Sequence, residues 1–423
     1  MKYGKFVLIC LLFSVQRVFA QGPVHLSECL QWAREEHPYL KQKELYQKIA
    51  DLSQKNTRVN YLPRVMLNVQ ATYQSDVTHV GISLPGIKIP AVSNDQYKAY
   101  LDVKQNIWDG GVTKAAIARE SAEKEVEEQN VEVELYKVRE QVNDLFFSSF
   151  LLQQNLAILD RKQETLEARK SDMKAKVKNG ILLSSELDQV LAELIRVKQQ
   201  KTVLQSDRHT VLAALAILTG KGTGRLQDLV VDAPSGSLPD TQIDRPELRL
   251  FRKQSGLLDA TVIQIQKNRN PDFFGFGQAG YGRPGLNMLN DNFGSYYLVG
   301  IGLSWHVFDW KTTKREKETI LLRQQLIQTQ QQQFVRNVKI QLDEQYRKIM
   351  QLKEILESDR ELISLQERIT KSSASKLENG TLTTSDYIRD LNAEMTARIT
   401  FETHKVQLES ARADYLNIQG NQN

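Results

Sequence analysis

GFGQAG (275–280) is the stretch of this 423-residue chain whose spacing matches a cofactor fingerprint, G-x-G-x-x-G. In a dinucleotide fold those glycines open a helix whose N-terminus holds the pyrophosphate. Here Tyr281-Gly282-Arg283-Pro284-Gly285 follows, which is a turn, so the glycines read as strand glycines. TGKGTG (219–224) lacks the spacing of a phosphate-binding P-loop. The six histidines are scattered, with no H-E-x-x-H and no cysteine partner, so no metal site is visible. No serine sits in a nucleophile elbow. The residues supply no catalytic constellation, and the chain reads as a non-enzyme without a cofactor.

The elements that remain must then be read for architecture. MKYGKFVLICLLFSVQRVFAQ (1–21) has Lys2 and Lys5, an apolar run from Phe6 to Phe13, and Val18-Phe19-Ala20 before a cut. That is the pattern of a secretory signal over residues 1–20, too short to span a bilayer. Cys10 is not preceded by a lipid-attachment box. Removal of the signal takes away Lys2, Lys5 and Arg17 and no acid, so the formal charge falls from +5 to +2. A nearly balanced chain gives no reason to expect nucleic acid as a partner. One cysteine, Cys29, remains, and a lone cysteine cannot close an internal disulfide. No later stretch has 18 consecutive apolar residues, so a membrane role would fall to strands closed into a barrel.

An internal repeat organises the rest. Asp109 pairs with Asp309, Asn179-Gly180 with Asn379-Gly380, Ser185 with Ser385 and Gly220 with Gly420, all 200 residues apart. Upstream, Pro38 pairs with Pro246 and Pro63 with Pro271, 208 apart. An inserted residue turns a helix by about 100° and moves its apolar face, whereas a loop absorbs extra length cheaply. The gap-free part should therefore be helical, and the eight extra residues should lie in the Pro- and Gly-containing loop 76–95. The expected first repeat, 21–220, holds a helix from about Ser27 to Val59, strands near 62–75 and 96–107, a long helix 110–178, a tip 179–184 and a return helix 184–219. An irregular linker, 220–243, leads to the second repeat, 244–423. That repeat holds a helix from Asp244 to Asn268, strands near 271–282 and 295–307, a long helix 310–378, a tip 379–384 and a return helix 384–418. Asp244-Arg245-Pro246-Glu247 has the look of a capped start, with Asp244 as the cap.

Val131, Leu135, Val138, Val142, Leu145, Leu152, Leu156, Leu159, Leu166, Met173 and Val177 step by threes and fours, interrupted at Ser149, Gln163 and Lys170. That is a coiled-coil seam, and Val335, Val338, Leu342, Ile349, Leu352, Leu356 and Ile363 continue its register in the second repeat. A helix over 110–178 is roughly 100 Å long, a rod beyond any ordinary globular domain. The strands alternate: Val65, Leu67, Val69, Ala71 and Tyr73 oppose Asn68, Gln70, Thr72 and Gln74. Such strands suit either a half-buried soluble sheet or a tilted membrane crossing. The signal and the lack of a globular core favour the second. Four strands cannot close a membrane barrel, so several chains would share one.

YLP (61–63) leading into a strand, WDGG (108–111) and FDW (308–310) leading into long helices, and NG-x-x-x-[ST]-[ST]-[DE] at both breaks carry a family likeness. Together with the repeat they resemble the outer membrane efflux protein family, the TolC-like outer membrane factors. The likeness covers essentially the whole mature chain. It implies a mainly α fold with a membrane β-barrel: a homotrimer with one shared 12-stranded barrel and an α-barrel of coiled-coil rods. It implies a passive exit duct in the outer membrane of a Gram-negative cell, extending into the periplasm. The partners implied are outer membrane lipid, a periplasmic adaptor and an inner-membrane transporter, in tripartite efflux or type I secretion of small molecules or proteins.

The breaks KNGILLSSEL (178–187) and ENGTLTTSDY (378–387) then become hairpin tips. Gly180 and Gly380 suit the left-handed residue ending a helix. Ser185 with Asp188, and Thr383 with Asp386, could cap the returns. The resemblance implies adaptor docking at Gly180, Ile181, Leu182, Leu183, Gly380, Thr381, Leu382 and Thr383, and a constriction at Glu186 and Asp386. A ring of carboxylates from three chains would repel itself and attract cations. The same carboxylates equally suit a helix N-terminus on charge grounds. Arg389 and Asp390 stand where some relatives place a second acid, and Leu382 where some place a basic latch. A structural periplasmic coiled-coil protein without a pore, or a periplasmic adaptor, are the alternatives. Adaptors usually carry one hairpin and compact β domains, unlike two equal halves.

Overall fold

The computed structural model describes residues 22–78, 92–231 and 242–420. The signal segment, the centre of the 76–95 loop and most of the linker's second half lie outside the described residues. The order is β1 (Val24–His25), α1 (Leu26–Glu36), α2 (Tyr39–Arg58), β2 (Arg64–Tyr73), β3 (Asp95–Trp108), α3 (Val112–Lys178), α4 (Ser184–Thr219), β4 (Leu229–Val230), α5 (Pro246–Lys267), β5 (Asp272–Arg283), β6 (Gly294–Ser304), α6 (Thr312–Glu378) and α7 (Thr384–Gln419).

The expected helix from Ser27 to Val59 is two helices. Proline disfavours helical backbone in the residue before it, and His37 is extended (φ −69°, ψ 131°) ahead of Pro38. The repeat partner of α5 is therefore α2 alone, and α1 is an addition in front. Asp244 does not cap α5. Arg245 holds the cap position with Pro246 after it, while Asp244 pairs with Arg249 at 3.2 Å. The linker is not wholly irregular either. β4 pairs in parallel with β1, Val24 against Leu229 and His25 against Val230, so the start of the described chain is clasped to the joint between repeats.

α3 and α6 each have 67 residues, about 100 Å of helix. α4 doubles back on α3 and α7 on α6, and α2 and α5 continue the cover toward the sheet. Periodic seam residues bury as the register requires: Val142, Leu166 and Ile349 are fully enclosed. Three apolar clusters result. One, around Phe146, Leu212, Leu226 and Leu229, sits at the β1–β4 clasp. A second runs from Ile158 down to the tips, and a third lies between α6 and α7.

The four long strands form one antiparallel sheet in the order β2-β3-β5-β6. β6 stops at Ser304, short of the expected 307. Val65, Val103, Gly277 and Val299 lie in register, as do Leu67, Leu101, Ala279 and Tyr297, and this face is exposed and apolar. The other face carries Arg64, Lys98, Asp102, Lys104 and Asp272 at alternate positions. PDFFGFGQAGY breaks the alternation because Phe274 and Phe276 lie on that second face, across Gly302 and Gly300. The GFGQAG glycines are strand residues of β5.

Both long helices start in the same way. Asp109 Oδ1 and Oδ2 accept from the amides of Gly111 (3.0 Å) and Thr113 (2.7 Å), and Asp309 accepts from Lys311 (3.0 Å) and Thr313 (3.1 Å). The turn needs two left-handed residues, Gly110-Gly111 in one repeat and Trp310-Lys311 in the other. Gly110 faces Asn270, where a Cβ would come within 2.4 Å of the Asn270 Cβ. Trp310 faces no such wall among the described residues and is 77% exposed.

Asp414 on α7 is half-buried beside Asp144 and Glu140 of α3, with Lys348 of α6 as the opposing charge. Burial first, then Asp144, pushes its carboxyl up to about 6. A raised acid penalises the fold above that pH, and the penalty is relieved as pH falls from about 6 toward the ordinary carboxylate range. Asp414→Asn is expected to raise stability at pH 8 by on the order of 1–2 kcal/mol and to leave pH 4 unchanged, read as thermal unfolding at the two pH values. Gly110→Ala is expected to cost about 2–4 kcal/mol from strain and overpacking in the same assay.

Candidate functional site

The tips are the place where the two repeats meet at one end. α3 and α6 both finish in a glycine of positive φ, Gly180 (72°) and Gly380 (69°). Ile181 N–H donates to the Lys176 carbonyl and Thr381 N–H to that of Lys376, both at 2.9 Å. Gly180 N–H reaches Val177 at 3.0 Å and Gly380 N–H reaches Leu377 at 3.1 Å. Each pair satisfies carbonyls that a helix end otherwise leaves open, which is the Schellman arrangement.

The restarts differ. Thr383 Oγ1 accepts from Asp386 N–H at 3.2 Å, and its hydroxyl donates to Asp386 Oδ2 at 2.8 Å. The first tip has Leu183 at that position, which has no oxygen to offer. Ser185 does not cap α4 either, because the helix has already begun at Ser184. Instead Glu186 crosses between hairpins. Its Oε2 accepts from Thr384 N–H, 3.0 Å, at the start of α7. One carboxylate thus meets the positive end of a neighbouring helix.

Of the four residues expected at a constriction, three gather on α7. Asp386 takes Arg389 Nη1 at 2.8 Å, Arg389 Nε lies 3.6 Å from Asp390, and Asp390 accepts from Ser373 of α6. Glu186 is apart from them, on α4. Of the eight tip residues, Ile181 and Leu183 are 70% and 72% exposed, Gly180, Gly380, Thr381 and Thr383 are also exposed, and Leu182 and Leu382 fold inward onto the cluster that holds Tyr387.

Motif reading missed the strongest ties. Arg169 of α3 pairs with Glu378 of α6 at 2.7 Å and lies over the buried Tyr387 ring at 5.3 Å. Lys162 pairs with Glu193 at 2.7 Å, almost fully enclosed, and Arg196 adds a second contact at 3.0 Å. Burial pushes the Glu193 carboxyl up, but hydrogen bonds from Lys162 and Arg196, the Lys162 charge and a contact to Asn392 of α7 hold it below the usual carboxylate range. The one legible signal was the seam interruption at Gln163, beside Lys162. Nothing in the motifs marked Arg169.

These ties predict that Glu186→Ala speeds amide exchange in the first turn of α7 and costs about 1 kcal/mol, read by hydrogen exchange and thermal unfolding. Asp188→Ala should leave both unchanged.

Two antiparallel hairpins about 100 Å long are carried on a four-stranded sheet with one exposed apolar face. Residues 29–221, the first repeat, match the family model described as Outer membrane efflux protein. Over that repeat the chain is similar to the family, whose members are channels rather than enzymes. Solved structures carry the same fold over nearly the whole length. The outer membrane protein VceC from Vibrio cholerae superposes with a TM-score of 0.64 at 14% identity, covering 93% of this chain and 96% of its own. The Campylobacter jejuni CmeC outer membrane channel gives 0.63 at 14%, covering 94% and 85%. The open state of the Neisseria gonorrhoeae MtrE outer membrane channel gives 0.63 at 15%, covering 94% and 89%. No curated protein matches the sequence.

Proposed function

We propose that this chain is the outer-membrane exit duct of a tripartite efflux or type I secretion system, a passive conduit for small molecules or proteins. The observation that carries the reading is the sheet: one face apolar, β2 and β6 with unpaired outer edges, at one end of the rods. In lipid such edges must be paired, and four strands are too few to close. Three copies joined β6 to β2 make a twelve-stranded barrel. The joint would repeat one already inside the chain. Gly110 packs on Asn270 within the chain, and Trp310 would meet Leu62 of the next copy, 208 residues before Asn270. Exposed Leu45, Ile49 and Leu52 on α2, and Leu321, Leu322 and Leu326 on α6, would be covered in the same assembly.

In this reading the tips point into the periplasm after the signal is cleaved. Exposed Ile181 and Leu183 offer an apolar end for a periplasmic adaptor, which links the duct to an inner-membrane transporter. The duct closes near the tips, where Arg169–Glu378 and Glu186–Thr384 join the two hairpins and the Asp386–Arg389–Asp390 group lines the start of α7.

The test is single-channel conductance of the detergent-extracted protein in a planar bilayer. Small, discrete steps are expected, several-fold larger after Arg169→Ala with Glu378→Ala, and larger also after Asp386→Ala. Steps unchanged by all substitutions would remove the closure at the tips. No steps from folded, inserted protein would sink the duct reading and leave a structural coiled coil.

A further inference from the structure

The face of the sheet opposite the apolar one is not simply polar. Phe274 and Phe276 lie there with ring centroids 6.2 Å apart. Each lies flat across a glycine of β6: a Cβ at Gly302 would come within 2.5 Å of the Phe274 ring, and one at Gly300 within 2.5 Å of the Phe276 ring. Further along the same face Tyr100 and Tyr296 close over Gly280. The glycines let the rings pack against the wall, where both are half-buried. Beside them, Lys104 Nζ sits 4.0 Å from the Phe274 centroid and makes no ion pair among the described residues. The nearest acid on that face, Asp102, already accepts from Gln278 at 2.8 Å.

We infer that this wall is a binding track for planar aromatic anions in transit. The inference rests on the duct reading, in which the charged face lines the lumen. A planar aromatic anion stacks on these half-buried rings, drawing Lys104 from over the Phe274 ring onto its own charge. A lumen lined only for solvation would need neither fixed rings nor an unpaired ammonium above one. With three copies the barrel would hold three such tracks, each weak enough to release what it binds. Selection of cargo would then lie partly in the duct itself.

The competing role is that the rings only fill the gaps left by strand glycines. Leucine fills such a gap but offers no π-face, which separates the two. In planar bilayers, naphthalene-2-sulfonate added on the barrel side should interrupt the current with dwell times about tenfold longer than butane-1-sulfonate of equal charge. Phe274→Leu with Phe276→Leu should remove that difference while leaving open conductance and melting temperature intact. Lys104→Gln should abolish the preference for naphthalene-2-sulfonate over the cationic (2-naphthyl)methylammonium. Lys104 is exposed, so this variant keeps the test alive if the double variant fails to fold. Equal dwell times for aryl and alkyl sulfonates, or aryl dwell times unmoved by these substitutions, overturn the track and leave the duct standing. Absence of any conductance overturns both.

Discussion

A sheet with one apolar face and two unpaired edges is at rest neither in water nor, alone, in lipid. Water leaves the apolar face unburied, and lipid leaves the edge amides and carbonyls without partners. That constraint orders the rest of this chain. Among the described residues β2 and β6 have unpaired outer edges, and Val65, Val69, Val299 and Ile301 are exposed. Nothing among the described residues covers them. The helices below show the same incompleteness, with Leu45, Leu52 and Leu326 exposed on long rods. The chain is best understood as a segment of a wall.

The two repeats share a frame and divide its labour. Asp109 and Asp309 start equal helices, and Gly180 and Gly380 end them with the same hydrogen bonds. Between those fixed points the seams diverge. Leu159 and Leu204 of the first repeat belong to an apolar cluster, and their counterparts 200 residues on, Asp359 and His404, face each other at 2.6 Å. Met173 gives way to Ser373, which bonds Asp390. A polar layer contributes less to packing than an apolar one and depends on its partners' geometry. The second hairpin shares an apolar cluster with the first, in which Leu159, Leu166 and Val190 pack with Tyr387, Ile388 and Leu391, and Arg169–Glu378 and Glu186–Thr384 add polar ties.

Legibility follows from the range of each interaction. Equal spacing of Asp109/Asp309 and Gly180/Gly380 was visible because helical register forbids insertions. The alternation in β2 and β3 was visible because a strand face repeats every second residue. The break at Pro38 was written in the sequence but read through, since the apolar pattern continues across it. Glu186 was singled out, but its partner Thr384 lies 198 residues away, and no local pattern announces such a contact. Arg169 carried no signal at all, because an arginine on a charged helix face looks like any other until Tyr387 and Glu378 are brought under it.

By itself the sequence determined the two repeats, the long helices, their left-handed ends and the outward apolar face, because each rests on short-range periodicity or on one residue's backbone freedom. The tertiary structure alone decided which side chains tie the hairpins together, that β4 clasps β1, and that Phe274 and Phe276 cross to the charged face. Those depend on the register between segments far apart in the chain, and register is set by packing, which no single segment encodes.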